Sequence, residues 1–265
     1  SLKRFFSTLR SDLADQPWLP LPGTRGEAEA IQRMLPQTRL LLGRDATKQA
    51  LLTLDTPGLL HIATHGFFMP DEPVPPASTS VVLKDAPNLA DTRAVKSFGA
   101  VGEEGPRQRP PDPLLRSGLV LAGAAAPLEQ PGSSRREDSL VTALELAGLD
   151  LWGTQLVVLS ACDTGRGDVK PGQGVYGLRR ALMVAGAETV VTSLWKVDDE
   201  TARELMEGYY RNLLAGQGRA AALREAMKAL REKQPHPYHW APFIAIGQDA
   251  PLRGMVATPQ TRSAP

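Results

Sequence analysis

Apolar residues in this chain form short continuous runs that are separated by segments with helical spacing. The run at 59–64 (LLHIAT) predicts a short apolar strand, and the near-continuous run at 155–161 (QLVVLSA) predicts a buried strand of the kind found in parallel sheets. Segments such as 201–215 place apolar residues on one face of a helix. Strands that alternate with helices predict an α/β fold, with a mostly parallel sheet between two helical layers.

The same pattern predicts the other elements and divides the chain. Residues 71–113 are rich in proline and predict a flexible insertion, and 127–138 predict a loop. Residues 1–20 are expected to be the end of a preceding segment or a linker, and 249–265, which lack periodicity, predict a disordered tail. Helices are predicted over 27–35, 47–54, 140–149, 174–185, 201–215 and 219–233, and strands over 39–42, 59–64, 117–122, 155–161, 188–195 and 240–246.

Charge and cysteine content narrow the function classes. Thirty Lys and Arg against 29 Asp and Glu give a formal charge of +1, so no nucleic-acid partner is expected. One cysteine excludes an intrachain disulfide, which is typical of a reducing compartment. The sequence has neither an apolar run long enough for a membrane helix nor a signal peptide. We therefore expect a cytoplasmic protein without a membrane partner.

Two residues with catalytic potential follow the two apolar runs. His65 comes directly after 59–64, and Cys162, the one cysteine, directly after 155–161. Sites in open parallel sheets form at the carboxyl ends of the strands, so the two side chains are expected to face one cleft. An imidazole activates a thiol near neutral pH, and the amides of Gly66 and Cys162 are suited to an oxyanion hole. Taken singly, each residue is more often a packing residue of the core, and it is the joint pattern of two apolar strands followed by His-Gly and Ala-Cys-x-x-Gly that favours the catalytic interpretation.

Five blocks in this order resemble the CHAT peptidases, relatives of caspases, separases and gingipains. The blocks lie between Leu21 and Gly247: LPGTRGEAEAI, LHIATHGFF, LVVLSACDTGRG, GVYGLRRALMVAGAETVVTSLWKVDD and HPYHWAPFIAIG. The resemblance implies a caspase-like domain over 21–248, a regulated bacterial thiol protease without a cofactor, and His65 with Cys162 as its dyad. It also implies a protein or peptide substrate and an upstream helical-repeat region or regulatory partner. Caspases have Gln where this chain has Ser160, so their subsite preferences do not transfer.

Asp198 and Asp199 follow a predicted strand that ends at Trp195. Separases, which this stretch resembles, hold an acidic residue here that receives a basic side chain. By that resemblance either aspartate lines a pocket for Arg or Lys before the cut bond. The alternative is that Asp198 and Asp199 are the N-cap and first turn of the helix predicted from Thr201, where they complement its dipole.

The remaining motifs have simpler explanations. Gly172, Gly174 and Gly177 spell GxGxxG, but a loop separates them from the preceding strand, which argues against nucleotide binding. No histidine, cysteine and carboxylate spacing indicates a metal. His61 shares the strand parity of His65 and either orients the site or packs in the core. Basic residues in the predicted loops are sites for self-cleavage or solvated charges: Arg107, Arg109, Arg135 and Arg136. A non-catalytic interaction module on the same fold remains the alternative function.

Overall fold

The computed structural model describes residues 18, 21–68, 113–124, 139–163, 173–195 and 197–254. Its strands are β1 Leu59–Phe68, β2 Ser117–Val120, β3 Leu140–Thr142, β4 Leu156–Asp163, β5 Thr189–Ser193 and β6 Phe243–Gly247. They form one sheet in the order β3-β2-β1-β4-β5-β6. The three central strands β1, β4 and β5 are parallel, and β2, β3 and β6 join antiparallel at the two sides. The α/β prediction is confirmed, with parallel pairing confined to the centre.

Helices cover both faces of the sheet. They are α1 Pro22–Met34, α2 Lys48–Leu52, α3 Pro113–Arg116, α4 Ala143–Ala147, α5 Gln173–Val184, α6 Asp199–Leu214, α7 Arg219–Lys233 and α8 Pro237–Trp240. On one face, α1, α6 and α7 pack together with apolar side chains of β4 and β5. On the other face, α2, α4 and α5 pack against the alternate residues of the same strands. We refer to these two sides as the α6 face and the α5 face.

Strand β4 shows why a continuous apolar run was needed at the centre. Leu156 and Val158 contribute to the α6 face, whereas Val157 and Leu159 contribute to the α5 face, and all four are 0% exposed. Successive side chains of a strand point to opposite faces. The centre of a strand that helices cover on both sides is therefore apolar at successive positions, as the sequence predicted.

Two predicted elements are wrong. Residues 39–42 belong to no strand, because they pair with none of the described strands. The helix predicted over 140–149 begins only at Ala143, after β3. Thr142 forms a capping box with Glu145, in which each side chain accepts a hydrogen bond from the other residue's backbone. This cap satisfies the first free amides of α4 and so fixes where the helix starts.

Two boundaries also differ from prediction. Strand β1 continues past His65 to Phe68 because β2 pairs with it on the side away from β4. The chain beyond residue 248, predicted to be disordered, is placed as far as Gly254. Leu252 is buried, and the Arg253 amide donates to Gln155 Oε1 at 2.6 Å. The insertion predicted over 71–113 lies outside the described residues except for Pro113, as does the predicted loop at 127–138.

Candidate active site

The parallel ladder between β1 and β4 places the two predicted dyad residues side by side. The register runs from Leu59 opposite Leu156 to Gly66 opposite Asp163, and it sets the Cα of His65 opposite the Cα of Cys162. Neighbouring strands in a sheet lie about 4.8 Å apart. Both positions therefore lie within two residues of the point where the ladder ends, at the carboxyl edge of the parallel strands.

His65 is half-buried and lies within β1, although the sequence predicted that the strand stops there. Its imidazole packs against the buried ring of Trp18, with 5.5 Å between ring centroids and a tilt of 53°. On the other side of the strand its backbone pairs with Val120 of β2. The histidine is thus held by a strand on each side and by an aromatic ring, which restricts where its imidazole can point.

Gly66, the predicted oxyanion donor, is buried and forms the last residue pair of the β1–β4 ladder, opposite Asp163. Its other edge pairs with Leu119 of β2. Backbone groups stop pairing with each other where two strands separate. Gly66 therefore lies directly after His65, at the carboxyl end of this ladder.

A buried polar network lies on the α6 face, just before the dyad positions along both strands. Glu27 of α1 is 3% exposed; its Oε1 lies 3.0 Å from His61 Nε2 and its Oε2 accepts a 3.1 Å hydrogen bond from Ser160 Oγ. His61 Nδ1 in turn lies 2.9 Å from the hydroxyl of Tyr210, which is 1% exposed. One helix, two strands and a second helix are joined by these contacts.

The two predicted pocket aspartates both make contacts within the domain. Asp198 is the N-cap of α6, and its Oδ2 accepts bonds from the Thr201 amide at 3.0 Å and the Thr201 hydroxyl at 2.9 Å. These bonds hold the pKa of Asp198 below its ordinary value of 3.8, so the carboxylate is charged at neutral pH. Asp199 Oδ2 accepts a 3.0 Å bond from the Gly23 amide. Asp198 is thus the N-cap and Asp199 lies in the first turn of α6, so the capping interpretation is correct for both residues, and Asp198 remains exposed.

The chain matches a known protein family over the residues that form this site. The family model of the CHAT domain matches residues 8–248, which is most of the chain and includes both strands that carry the dyad positions. The chain belongs to the CHAT domain family.

Curated relatives of this CHAT domain are much longer proteins. It is 29% identical over 238 residues to the human protein named Tetratricopeptide repeat protein 28, and equally to the mouse protein of that name. In each case the match covers 89% of this chain but 9% of the relative. Both relatives are mammalian, so they lend no support to the bacterial setting that the sequence resemblance implied.

The network around Glu27 is the part of the CHAT domain site that the sequence analysis missed. A signal was present, because Glu27 precedes Ala30 and Ile31 by three and four residues, on the face of α1 that is buried. A carboxylate on the apolar face of an amphipathic helix is unusual unless it has a buried partner. The partner, His61, had been noted for its strand parity with His65, and its contacts with Glu27 and Tyr210 are resolved by the structure.

Other predicted features have the following positions. Gly174 and Gly177 lie inside α5, while Gly172 lies outside the described residues, as do Arg107, Arg109, Arg135 and Arg136. Among the described residues, no group of three metal-binding side chains occurs, and no helix there is long and apolar enough to cross a membrane.

Proposed function

We propose that this CHAT domain is a cysteine endopeptidase that cleaves protein or peptide substrates, with Cys162 as nucleophile and His65 as acid-base partner. The observation that carries the proposal is the register of β1 and β4, which sets His65 opposite Cys162 at the carboxyl edge of the parallel strands. Sites of open α/β sheets form at this edge. A thiol and an imidazole at neighbouring strand positions are the components of a nucleophile and base pair.

The chemistry is amide hydrolysis in two steps. His65 takes the thiol proton, and the Cys162 sulfur forms a bond to the substrate carbonyl carbon. The amides of Gly66 and Cys162 stabilise the oxyanion. The C–N bond then breaks as His65 donates its proton to the leaving amine. In the second step water attacks the thioester, His65 accepts and returns a proton, and the acid product leaves with the thiol restored.

A preference for Arg or Lys before the cut bond is the second part of the proposal. Asp198 and Asp199 follow β5, the neighbour of β4, at the same edge of the sheet. Asp198 uses Oδ2 for its cap, and a carboxylate has further acceptor positions, so the cap leaves it able to attract a cation. We also propose that the domain works under control of a helical-repeat region or another regulatory protein, which the repeat-protein names of the curated relatives support.

The test is digestion of a mixed peptide library, read by mass spectrometry, by the wild type, Cys162→Ala and His65→Ala. We expect cuts that require both residues, with basic residues enriched before the cut. The same cuts from Cys162→Ala would exclude the cysteine mechanism. If no variant cuts and the wild-type cysteine also fails to react with a thiol-reactive peptide mimic, the protease proposal is wrong.

The alternative function is a non-catalytic protein-interaction module on the caspase-like fold. It is favoured by one observation, that the names of the curated relatives describe repeats and no enzymatic activity. The thiol-reactive mimic separates the two proposals, because an interaction module has no need for a reactive cysteine.

A further inference from the structure

Glu27 contacts both of the strands that carry the dyad positions. Ser160, on β4, stands two residues before Cys162, and His61, on β1, stands four residues before His65. One carboxylate oxygen contacts each strand, at 3.1 Å and 3.0 Å respectively. A single buried group therefore joins the two strands through their side chains, in addition to the backbone ladder.

The sheet leaves space for this group on the α6 face. Ala63 is the residue opposite Ser160 in the ladder and shares strand parity with His61 and His65. Because an alanine stands at this position, the Glu27 side chain can reach across to both strands from α1.

Burying the Glu27 carboxylate has a free-energy cost. A buried ionised carboxylate loses its hydration, and contacts must replace it. Among the described residues, His61 is the basic side chain that contacts Glu27, and no lysine or arginine of that part of the chain does. An apolar residue at position 27 would fill the same space without this cost, although it would leave His61 and Ser160 without their partner.

Two hydroxyl groups are hydrogen-bonded within this network. Ser160 Oγ donates to Glu27 Oε2 at 3.1 Å, and the Tyr210 hydroxyl lies 2.9 Å from His61 Nδ1 and donates to it when the imidazole proton is on Nε2. Burial raises the pKa of Tyr210 well above 10.0, and the nearby Tyr209 and Glu27 raise it further, so this phenol keeps its proton. His61 Nε2 lies at the ion-pair distance of 3.0 Å from Glu27 Oε1 without the geometry of a hydrogen bond, so the network is joined by two hydrogen bonds and one close polar contact.

We propose that Glu27, acting through His61 and Ser160, is a positioning residue that holds β1 and β4 so that His65 and Cys162 meet in reactive geometry. The inference rests on the proposed function and adds a part to it. Glu27 contacts the two strands through His61 and Ser160. Its effect is on the alignment of β1 and β4 at the dyad positions. This effect is separate from any contribution that Glu27 makes to the stability of the fold.

The experiment compares three variants in the intact chain. Glu27→Ala removes both contacts. Glu27→Gln keeps them, because the amide oxygen accepts from Ser160 and the amide nitrogen donates to His61 once the imidazole proton moves to Nδ1. Glu188→Ala is the matched control, because Glu188 pairs with the fully buried Arg219 at 2.8 Å just before β5, at the opposite end of the parallel strands.

The first measurement is the rate of alkylation by iodoacetamide at pH 7, which reports on Cys162 alone because the chain has one cysteine. We expect His65→Ala to slow alkylation at least tenfold and Glu27→Ala at least fivefold, while Glu27→Gln and Glu188→Ala stay within twofold of wild type. On a cleaved peptide, Glu27→Ala should lower kcat at least tenfold and leave KM within threefold, since substrate contacts are unchanged.

The outcomes distinguish a failure of the dyad proposal from a failure of the positioning role of Glu27. If His65→Ala alkylates like wild type, the dyad is absent and both proposals fail. If His65→Ala is slow but Glu27→Ala matches Glu188→Ala, only the positioning role is overturned. Should Glu27→Ala fail to fold, Ser160→Ala decides the matter, because it removes a single 3.1 Å bond. A loss of at least threefold in alkylation rate supports the role, and a wild-type rate refutes it.

Discussion

Two adjacent tyrosines of α6 allow the energy of the buried network to be measured with an internal control. Tyr209 is 0% and Tyr210 1% exposed, and their rings pack edge to face with centroids 5.7 Å apart. The Tyr210 hydroxyl lies 2.9 Å from His61 Nδ1. Within the described residues, the Tyr209 hydroxyl has no hydrogen-bond partner. Replacing each by Phe removes one oxygen and leaves the ring, so the two variants differ mainly in the lost hydrogen bond.

The expected magnitudes have opposite signs. Tyr210→Phe leaves His61 Nδ1 buried without its donor, and an unsatisfied buried polar group costs about 1–3 kcal/mol. We expect the free energy of unfolding to fall by about 2 kcal/mol. Tyr209→Phe removes a hydroxyl that is buried without a partner, so the change is expected to be neutral or to stabilise by up to about 1 kcal/mol.

Urea unfolding at pH 7, followed by circular dichroism and tryptophan fluorescence, measures both changes. With a denaturant slope near 3 kcal/mol/M, a loss of 2 kcal/mol lowers the midpoint by about 0.7 M. Coincident transitions from the two probes establish that the comparison is valid. If Tyr209→Phe destabilises as much as Tyr210→Phe, the hydrogen bond to His61 contributes nothing and the reasoning about the network is refuted.

Three further predictions concern substrate specificity, the ion pair between Glu188 and Arg219, and the pH dependence of stability. Asp198→Asn keeps an N-cap and Asp199→Asn keeps an acceptor for the Gly23 amide, so both variants should fold normally. At least one of them should lose most of the preference for Arg or Lys before the cut bond. If the preference is unchanged in both variants, the proposed acidic pocket is wrong. Glu188→Ala should lower the free energy of unfolding, measured in urea, by about 3 kcal/mol. This is near the lower end for a broken buried ion pair, because the guanidinium of Arg219 is fully buried while Glu188 is 17% exposed. A loss below about 1 kcal/mol contradicts this prediction. Burial raises the pKa of both tyrosines above 10.0, so the folded chain holds these protons more tightly than the unfolded chain. Their contribution to stability is complete below pH 10 and is lost as the pH rises further, and Tyr209→Phe should flatten the fall in Tm between about pH 10 and 12.

The apolar pattern predicted β4, the start of β1 and the long helices because burial on each face depends on residue spacing alone. The run LVVL was sufficient to place β4 between two helical layers. The apolar pattern gave wrong predictions where a strand depends on a neighbouring strand. Residues 39–42 have strand-like side chains but no neighbouring strand, and β1 extends past His65 only because β2 pairs with it. Local caps had a similar effect at Thr142, whose capping box begins a helix that the apolar spacing placed three residues earlier.

The sequence by itself identified the family and predicted His65 and Cys162 as a dyad, because each depends on residue types in a local order. Only the tertiary structure decided that these two residues are opposite each other, since the register of a parallel ladder joins segments almost a hundred residues apart. The same holds for Glu27, which is a helical carboxylate in the sequence and a buried bridge between two strands in the fold. Contacts of this kind depend on which faces meet when the layers pack, and no local pattern specifies that.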